Sequence, residues 1–320
     1  MVLAGACALA LAGCIDRGAQ TPSAPATGTP TTDGGMPTTS TSIRVLAPPK
    51  PYQPAPAEVE PELKRVAVSA VQTLTTYGTE GSSAQAARGR LAGAGLAPGL
   101  ADKAGPLLVA GASSAGDIVY PQLGGLRAGR ASVMVVVRQR VLGPSGESTT
   151  TRTVDVRVAR RGAQWVVEDL GSLGGDPVPE PPTLSPGARR VLSHPRIQLP
   201  DSARWDIYAG RVSDRVLNLL AGLADGHDLA VAVFSSGHPI QVFGTSRVSN
   251  HIPGRAVDLW SVDGPESAQR QPSSTLRSLT ADLLRLGVNE LGGPFDVDGA
   301  SRSSFTDVVH QDHLHLGFDS

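Results

Sequence analysis

Five of the seven histidines in this chain fall in two regions toward its C-terminal end. One region holds His238, then His251 and Asp258 within Ser249-Asn-His-Ile-Pro-Gly-Arg-Ala-Val-Asp-Leu259. The other is His310-Gln-Asp-His313-Leu-His315. Imidazole nitrogens and a carboxylate are the ligand types of a catalytic zinc site. Both cysteines, Cys7 and Cys14, lie in the first fourteen residues. A metal in the folded part must therefore be held by His and carboxylate. If the two regions converge, the chemistry to expect is hydrolysis by zinc-activated water.

The elements around these residues must bring them together. His251 and Asp258 are seven apart, which in one strand leaves them on opposite faces. The segment must turn between them, and Pro253-Gly254 supplies the bend. Ala256–Trp260 reads as a strand and His313–Phe318 as a final strand. In the latter, His313 and His315 share a face, and His310 lies just before it. Antiparallel pairing of the two strands would gather His251, His310, His313, His315 and Asp258. Asp312 would point to the opposite face, either orienting a histidine or unrelated to the site. Trp260 suits a packed core position better than a cleft.

Supporting elements follow from periodicity. Ser185–Leu192 is a short helix with Ser185 as N-cap and Pro186 at its first position. Asp206–Ala224 has Val212, Val216, Leu219, Leu220 and Leu223 at helical spacing. Leu229–Phe234 is a buried strand, and Thr275–Leu286 is a helix with Leu276, Leu279, Leu283 and Leu286 on one face.

Upstream, residues 57–176 form a separate region without histidine. Leu63, Val66, Ala67, Ala70, Val71 and Leu74 predict an amphipathic helix over Pro61–Tyr77, and a second helix fits Ser83–Ala94. Alternation then takes over. Val133, Val135, Val137 and Val141 share one strand face, with Met134, Val136, Arg138 and Arg140 on the other. Val154, Val156 and Val158 alternate with polar residues, Gln164–Leu170 is a third strand, and Gly-Pro-Ser-Gly at 143–146 is a hairpin loop. The acids Asp117, Asp155, Glu168 and Asp169 are scattered, so this region reads as a spacer or binding module. The Pro-rich stretch from Gly174 to Pro182 reads as a stiff joint.

The whole is α+β in two domains: a helix-plus-antiparallel-sheet domain over 57–176 and a second over 185–320, joined by a linker at 177–184. Apolar residues make up 40% of the chain and aromatics only 4%, so the cores rest on Val, Leu and Ala. The formal net charge is −1, with no block of like charge. That argues against a nucleic-acid or anionic-membrane partner. Arginine greatly outnumbers lysine, which occurs only as Lys50, Lys64 and Lys103.

Residues 1–13 are apolar and small, too short to span a bilayer and of signal-peptide length. Leu11-Ala-Gly-Cys14 resembles the bacterial lipobox, which implies lipidation at Cys14 and an extracytoplasmic protein anchored to the membrane by lipid alone. No Lys or Arg precedes the apolar run, a departure from the usual signal peptide. Residues 15–56, rich in Thr, Pro, Ala, Ser and Gly, read as a flexible tether.

Two resemblances extend this reading. By element order alone, 57–176 resembles the cone-shaped nuclear transport factor 2-like fold. More specifically, Ser249, His251, Gly254, Ala256, Asp258 and Leu259, followed by the late His313-Leu-His315, resemble the zinc peptidases of the D-Ala-D-Ala carboxypeptidase/dipeptidase, murein endopeptidase and hedgehog group. The resemblance covers about 120 residues. It implies His251, Asp258 and His315 as zinc ligands, His313 as an active-site histidine, and peptidoglycan stem peptides as the substrate class. Carboxypeptidases of the group carry Glu where this chain has His310. Its penicillin-insensitive endopeptidases, with His-x-x-His-x-His, are the nearer match, and His310 becomes the candidate base. Where many relatives have a substrate-binding Arg, this chain offers His238, with Arg247 and Ser249 nearby. The alternative expectation is a zinc-containing module that binds cell wall or a protein without catalysis.

Overall fold

The computed structural model describes residues 45–264, 274–299 and 303–319. The signal segment, Cys14 and the tether up to residue 44 lie outside the described residues. All described residues belong to one compact unit, Arg44–Ser320. The fold is mixed α+β, built on two largely antiparallel sheets, each with its own apolar core.

Helix α1 (Pro61–Thr75) begins with proline in its first turn, where no amide hydrogen is needed. Its stripe of Leu63, Ala67, Ala70, Val71 and Leu74 is fully buried. Helix α2 (Ala84–Gly93) is capped by the Ser83 hydroxyl, which accepts from the Ala86 amide. The chain then makes a four-stranded antiparallel meander: β1 (Ser113–Arg127), β2 (Arg130–Gly143), β3 (Gly146–Arg161) and β4 (Gln164–Ser172). β1 is a strand that periodicity does not announce. Its Gly116, Pro121, Gly124 and Gly125 break the pattern, and its pairing with β2 shifts register at Ile118/Tyr120 and Leu123/Gly125.

Val133, Val135 and Val137 face α1 across a core shared with Val154, Val156 and Val158. An antiparallel sheet commonly leaves its other face to water. Here Tyr120, Gln122, Met134 and Val136 on that face are buried too, because the C-terminal half covers them. Tyr120 stacks on Trp260 with centroids 5.1 Å apart, and the Thr153 hydroxyl donates to the Ala232 carbonyl at 2.6 Å. The Pro-rich stretch is held down as well: Arg152 donates to the Gly175 carbonyl at 2.8 Å. Residues 45–56, assigned by composition to the tether, contain no helix or strand. Yet Arg140 donates to the Ala47 carbonyl, Gln72 to that of Lys50, and Tyr52 to Glu58.

The second half opens with α3 (Pro186–Ser193), capped by Ser185 as its sequence predicts. The single helix expected over Asp206–Ala224 is instead two, α4 (Asp201–Tyr208) and α5 (Asp214–Ala224). Gly210, in the left-handed region at φ 66°, ends the first, and the Ser213 hydroxyl caps the second. A buried carboxylate occupies the break. Asp206 accepts from the amides of Ser235 and Ser236 at 3.0 and 2.7 Å, fixing the loop after the next strand.

The second sheet runs β5 (Ile197–Gln198), β6 (Leu229–Val233), β7 (Ala256–Val262), β10 (Leu314–Gly317), β8 (Glu290–Gly292), β9 (Ser304–Phe305), in that order across the sheet. Helices α5 and α6 (Ser274–Arg285) bury Val216, Leu220, Leu279 and Leu283 against it. The expected pairing is present: β10 lies antiparallel to β7, with His315 opposite Asp258 and Leu314 opposite Leu259.

Candidate metal centre

His251 reaches the centre from the loop between β6 and β7. Gly254 makes that possible: it sits at φ 71°, and a Cβ there would stand 1.8 Å from the Arg211 carbonyl oxygen. Within the loop the His251 amide donates to the Ser249 hydroxyl at 3.4 Å. The His251 Nδ1–H donates to the Phe234 carbonyl, which turns Nε2 toward the centre. That Nε2 lies 3.1 Å from Asp258 Oδ1 and 3.1 Å from His315 Nδ1, and the last two atoms are 2.9 Å apart. Three ligand atoms thus form a nearly equilateral triangle. His315 turns its other nitrogen, Nε2, to Glu290 at 3.4 Å. Each histidine therefore has one nitrogen on an acceptor outside the triangle and one inside it. This is the outer-shell arrangement that orients metal-binding imidazoles.

The site is deeply enclosed. His251, Asp258, His313 and His315 are 0%, 1%, 2% and 7% exposed. A cavity of about 170 Å³ reaches Asp258, His313 and His315, walled by Val242, Phe243, Phe305 and His310 from the C-terminal half and by Leu123 and Met134 from the first sheet.

The electrostatics follow from this enclosure. Burial pushes the Asp258 carboxyl up, but His251, His313 and the bonds from His251 and His315 outweigh it and hold it well below the usual range. Burial likewise works against charge on His315. Its bonds to Asp258 and Glu290 prevail and raise its pKa to about 9. A protonated His315 can donate from both nitrogens, Nδ1 to Asp258 and Nε2 to Glu290. Glu290 is in turn held low, against its burial, by His315, Asn250 and Arg247.

His313 stands beside the triangle. Its Nδ1 bonds to Asp312 Oδ1 at 2.6 Å, and its Nε2 lies 3.9 Å from Asp258 Oδ2. Asp312, left open between two roles by sequence, therefore orients a histidine. Its other oxygen accepts from Lys64 Nζ of α1 at 2.6 Å and from the Leu123 amide at 2.9 Å. Burial of Asp312 is outweighed by Lys64 and His313, which hold its carboxyl below the ordinary range. His310 lies in a short 3₁₀ turn ahead of β10, with its ring centroid 5.0 Å from that of His313 and 5.9 Å from that of His315. Gly292 makes room for it, since a Cβ there would fall 2.5 Å from the ring. Burial lowers the His310 pKa, partly countered by Asp307, which bonds its Nδ1 at 2.7 Å.

His238 stands closer to the metal group than its expected substrate-binding role implies. His238, His251 and Asp258 place one ligand atom each within 4.8 Å of one another, a His–His–Asp set able to hold a metal ion. The His238 ring stacks on His251 at 3.9 Å, and its Nδ1–H donates to the Pro239 carbonyl. Burial and His251 push its pKa well below 6.5, so it is neutral with Nε2 free. The triangle through His315 is tighter, with three edges all near 3 Å. Arg247 lines the cavity and pairs with Glu290 at 3.1 Å.

Sequence reasoning missed four contributors: Lys64, Gln122, Glu290 and Asp307. Two left a signal. Lys64 lies on the apolar stripe of α1, at spacings of 3, 7 and 10 from Ala67, Val71 and Leu74, where a solvated lysine does not belong. Gln122 is a polar residue on a strand face otherwise carrying Tyr120, Met134 and Val136. Glu290 and Asp307 have no local pattern and are brought in by sheet order alone. The scattered acids of the first half are in ion pairs, Asp117 with Arg140 and Asp155 with Arg157 among them.

Compared with protein-family models, curated proteins and solved structures, the chain matches none.

Proposed function

We propose that this chain is a zinc peptidase acting on peptidoglycan stem peptides or cross-bridges, held outside the cytoplasm by lipid at Cys14. The observation that carries the metal part of the reading is the triangle of His251 Nε2, Asp258 Oδ1 and His315 Nδ1, with edges of 3.1, 2.9 and 3.1 Å. Ligands about 2.0–2.1 Å from a tetrahedral zinc stand about 3.3 Å apart, so a small outward adjustment accommodates the ion. The donor set of two imidazoles and one carboxylate also suits zinc and leaves a fourth position for water or substrate.

A zinc ion held there would supply Lewis acidity toward water and toward a scissile carbonyl. The protein's own groups do the rest. His310, uncharged at neutral pH, offers Nε2 as a proton acceptor while Asp307 holds its Nδ1. His313, fixed by Asp312 through Nδ1, has Nε2 beside Asp258, and with both nitrogens protonated it would donate from Nε2 to the oxygen of the reacting carbonyl. Phe243, Phe305 and Met134 line the cavity with apolar surface that would restrict water around a bound peptide. The peptidoglycan substrate class rests on the resemblance of the Ser249–Leu259 and His310–His315 motifs.

One observation favours a second reading, a zinc-containing module that binds without cleaving. The ligands are nearly inaccessible and the cavity is small. Incubating the zinc-loaded protein with muropeptides separates the two. The peptidase reading expects new amines and shortened stems by mass spectrometry. Full zinc occupancy with intact muropeptides would leave the binding module.

A further inference from the structure

Among the described residues, Gln122 is the one of the first sheet whose side chain is seen to hydrogen-bond a member of the His251–Asp258–His315 triangle. It is fully buried, opposite Met134 in the β1–β2 ladder. Its Nε2 donates to Asp258 Oδ2 at 2.6 Å. The direction of the amide is set by chemistry, since an ionised carboxylate accepts only. Its Oε1 is buried with no hydrogen-bond partner. An orphaned buried oxygen is costly, and a glutamine placed there needs a compensating reason.

The geometry supplies that reason. Asp258 has two oxygens, and Oδ1 belongs to the triangle. Oδ2 is bound to Gln122, while Oδ1 faces His251 Nε2 and His315 Nδ1. The same stretch of β1 also grips the neighbouring histidine's carboxylate. The Tyr120 hydroxyl donates to the Asp312 carbonyl at 3.0 Å, and the Leu123 amide to Asp312 Oδ2 at 2.9 Å.

We propose that Gln122 is a positioning residue of the metal centre, holding Asp258 as a one-oxygen ligand, so that the first sheet is a part of the site rather than a spacer. The inference rests on the reading that His251, Asp258 and His315 hold a divalent metal. It assigns no step of hydrolysis to Gln122.

The test uses the full chain and Gln122→Met, which keeps length and apolar volume but removes the donor. Zinc affinity is measured by competition with a chromophoric chelator, and ligand geometry by the visible absorption of the cobalt-substituted protein. The expected result is zinc binding weakened about 10–100-fold, the usual effect of removing an outer-shell partner. The cobalt bands should move, with the circular dichroism unchanged. A variant with wild-type affinity and an unaltered cobalt spectrum overturns the proposal. Should Gln122→Met not fold, the wild-type protein still decides. The Gln122 side-chain amide protons should exchange slowly and shift on zinc addition in NMR spectra, and rapid exchange with no shift overturns it. Failure of the underlying reading looks different, because the wild-type chain would then take up no zinc at all.

Discussion

Removing the Lys64 ammonium should destabilise the fold strongly. Its Nζ is held between Glu58 and Asp312, and the three side chains are 0%, 2% and 1% exposed. Lys64→Met keeps the apolar stem but leaves two buried carboxylates facing each other without a cation. Breaking a buried pair by deleting one partner costs about 3–5 kcal/mol. Here one deletion strands two acids, so the upper part of that range is expected. The pH dependence gives a sharper test. In the wild type, Asp312 is held below its ordinary pKa, so its contribution to stability is present above about pH 4, the unfolded value, and is lost as pH falls through the folded one. Without Lys64, the charge that most lowers the Asp312 pKa is gone and burial favours its protonated form in the folded state. The deficit of the variant should therefore shrink from pH 7.5 to pH 5. Urea denaturation at both pH values measures it, with Glu58→Gln/Lys64→Met/Asp312→Asn as a control that restores most of the loss. A deficit below about 1 kcal/mol, or one that grows on acidification, refutes the account of this cluster as a buried, mutually dependent ion network.

Other predictions concern the metal. His251→Ala and His315→Ala should each abolish stoichiometric zinc binding, whereas His310→Ala should retain zinc and lower turnover of muropeptides. Loss of zinc in His310→Ala, read by metal analysis after desalting, would reverse that assignment. Zinc must also displace the proton on His315, whose pKa is raised to about 9. Apparent zinc affinity should therefore climb about tenfold per pH unit up to about pH 9, with close to one proton released at pH 7. Calorimetry in buffers of differing ionisation enthalpy counts that proton, and a count near zero contradicts the geometry. In the metal-free protein the sign is the usual one for a raised histidine. Its stabilising contribution is complete below about pH 6.5 and is lost as pH rises through 9.

Much of the second half can be read from local pattern. The Ser185 and Pro186 helix start, the β7 and β10 strands and the Gly254 bend each rest on interactions within a few residues, which composition and spacing express directly. The helix expected across 206–224 shows where that fails. Apolar spacing continues through Gly210, but a glycine at φ 66° and a capping Ser213 make two helices, with Asp206 at the junction. β1 escaped notice because its glycines, proline and register shifts erase the period of two. The first half looked like a spacer because it carries no histidine. Its contribution is made by a lysine and a glutamine, each out of place on an apolar face, but neither pattern names the partner that the second half supplies.

The ligand types and the order of the two motifs are properties of the chain itself, because the His251–Asp258 turn and the His313-x-His315 alternation are short-range backbone geometry. Which nitrogen of each histidine points inward is not. Phe234, Glu290 and Asp312 fix those choices from 17, 25 and 1 residues away in sequence. Gln122 and Lys64 reach in across 136 and 248 residues. Hydrogen bonds of that span depend on how two sheets stack, and stacking is settled by the burial of whole faces rather than by any local run of residues.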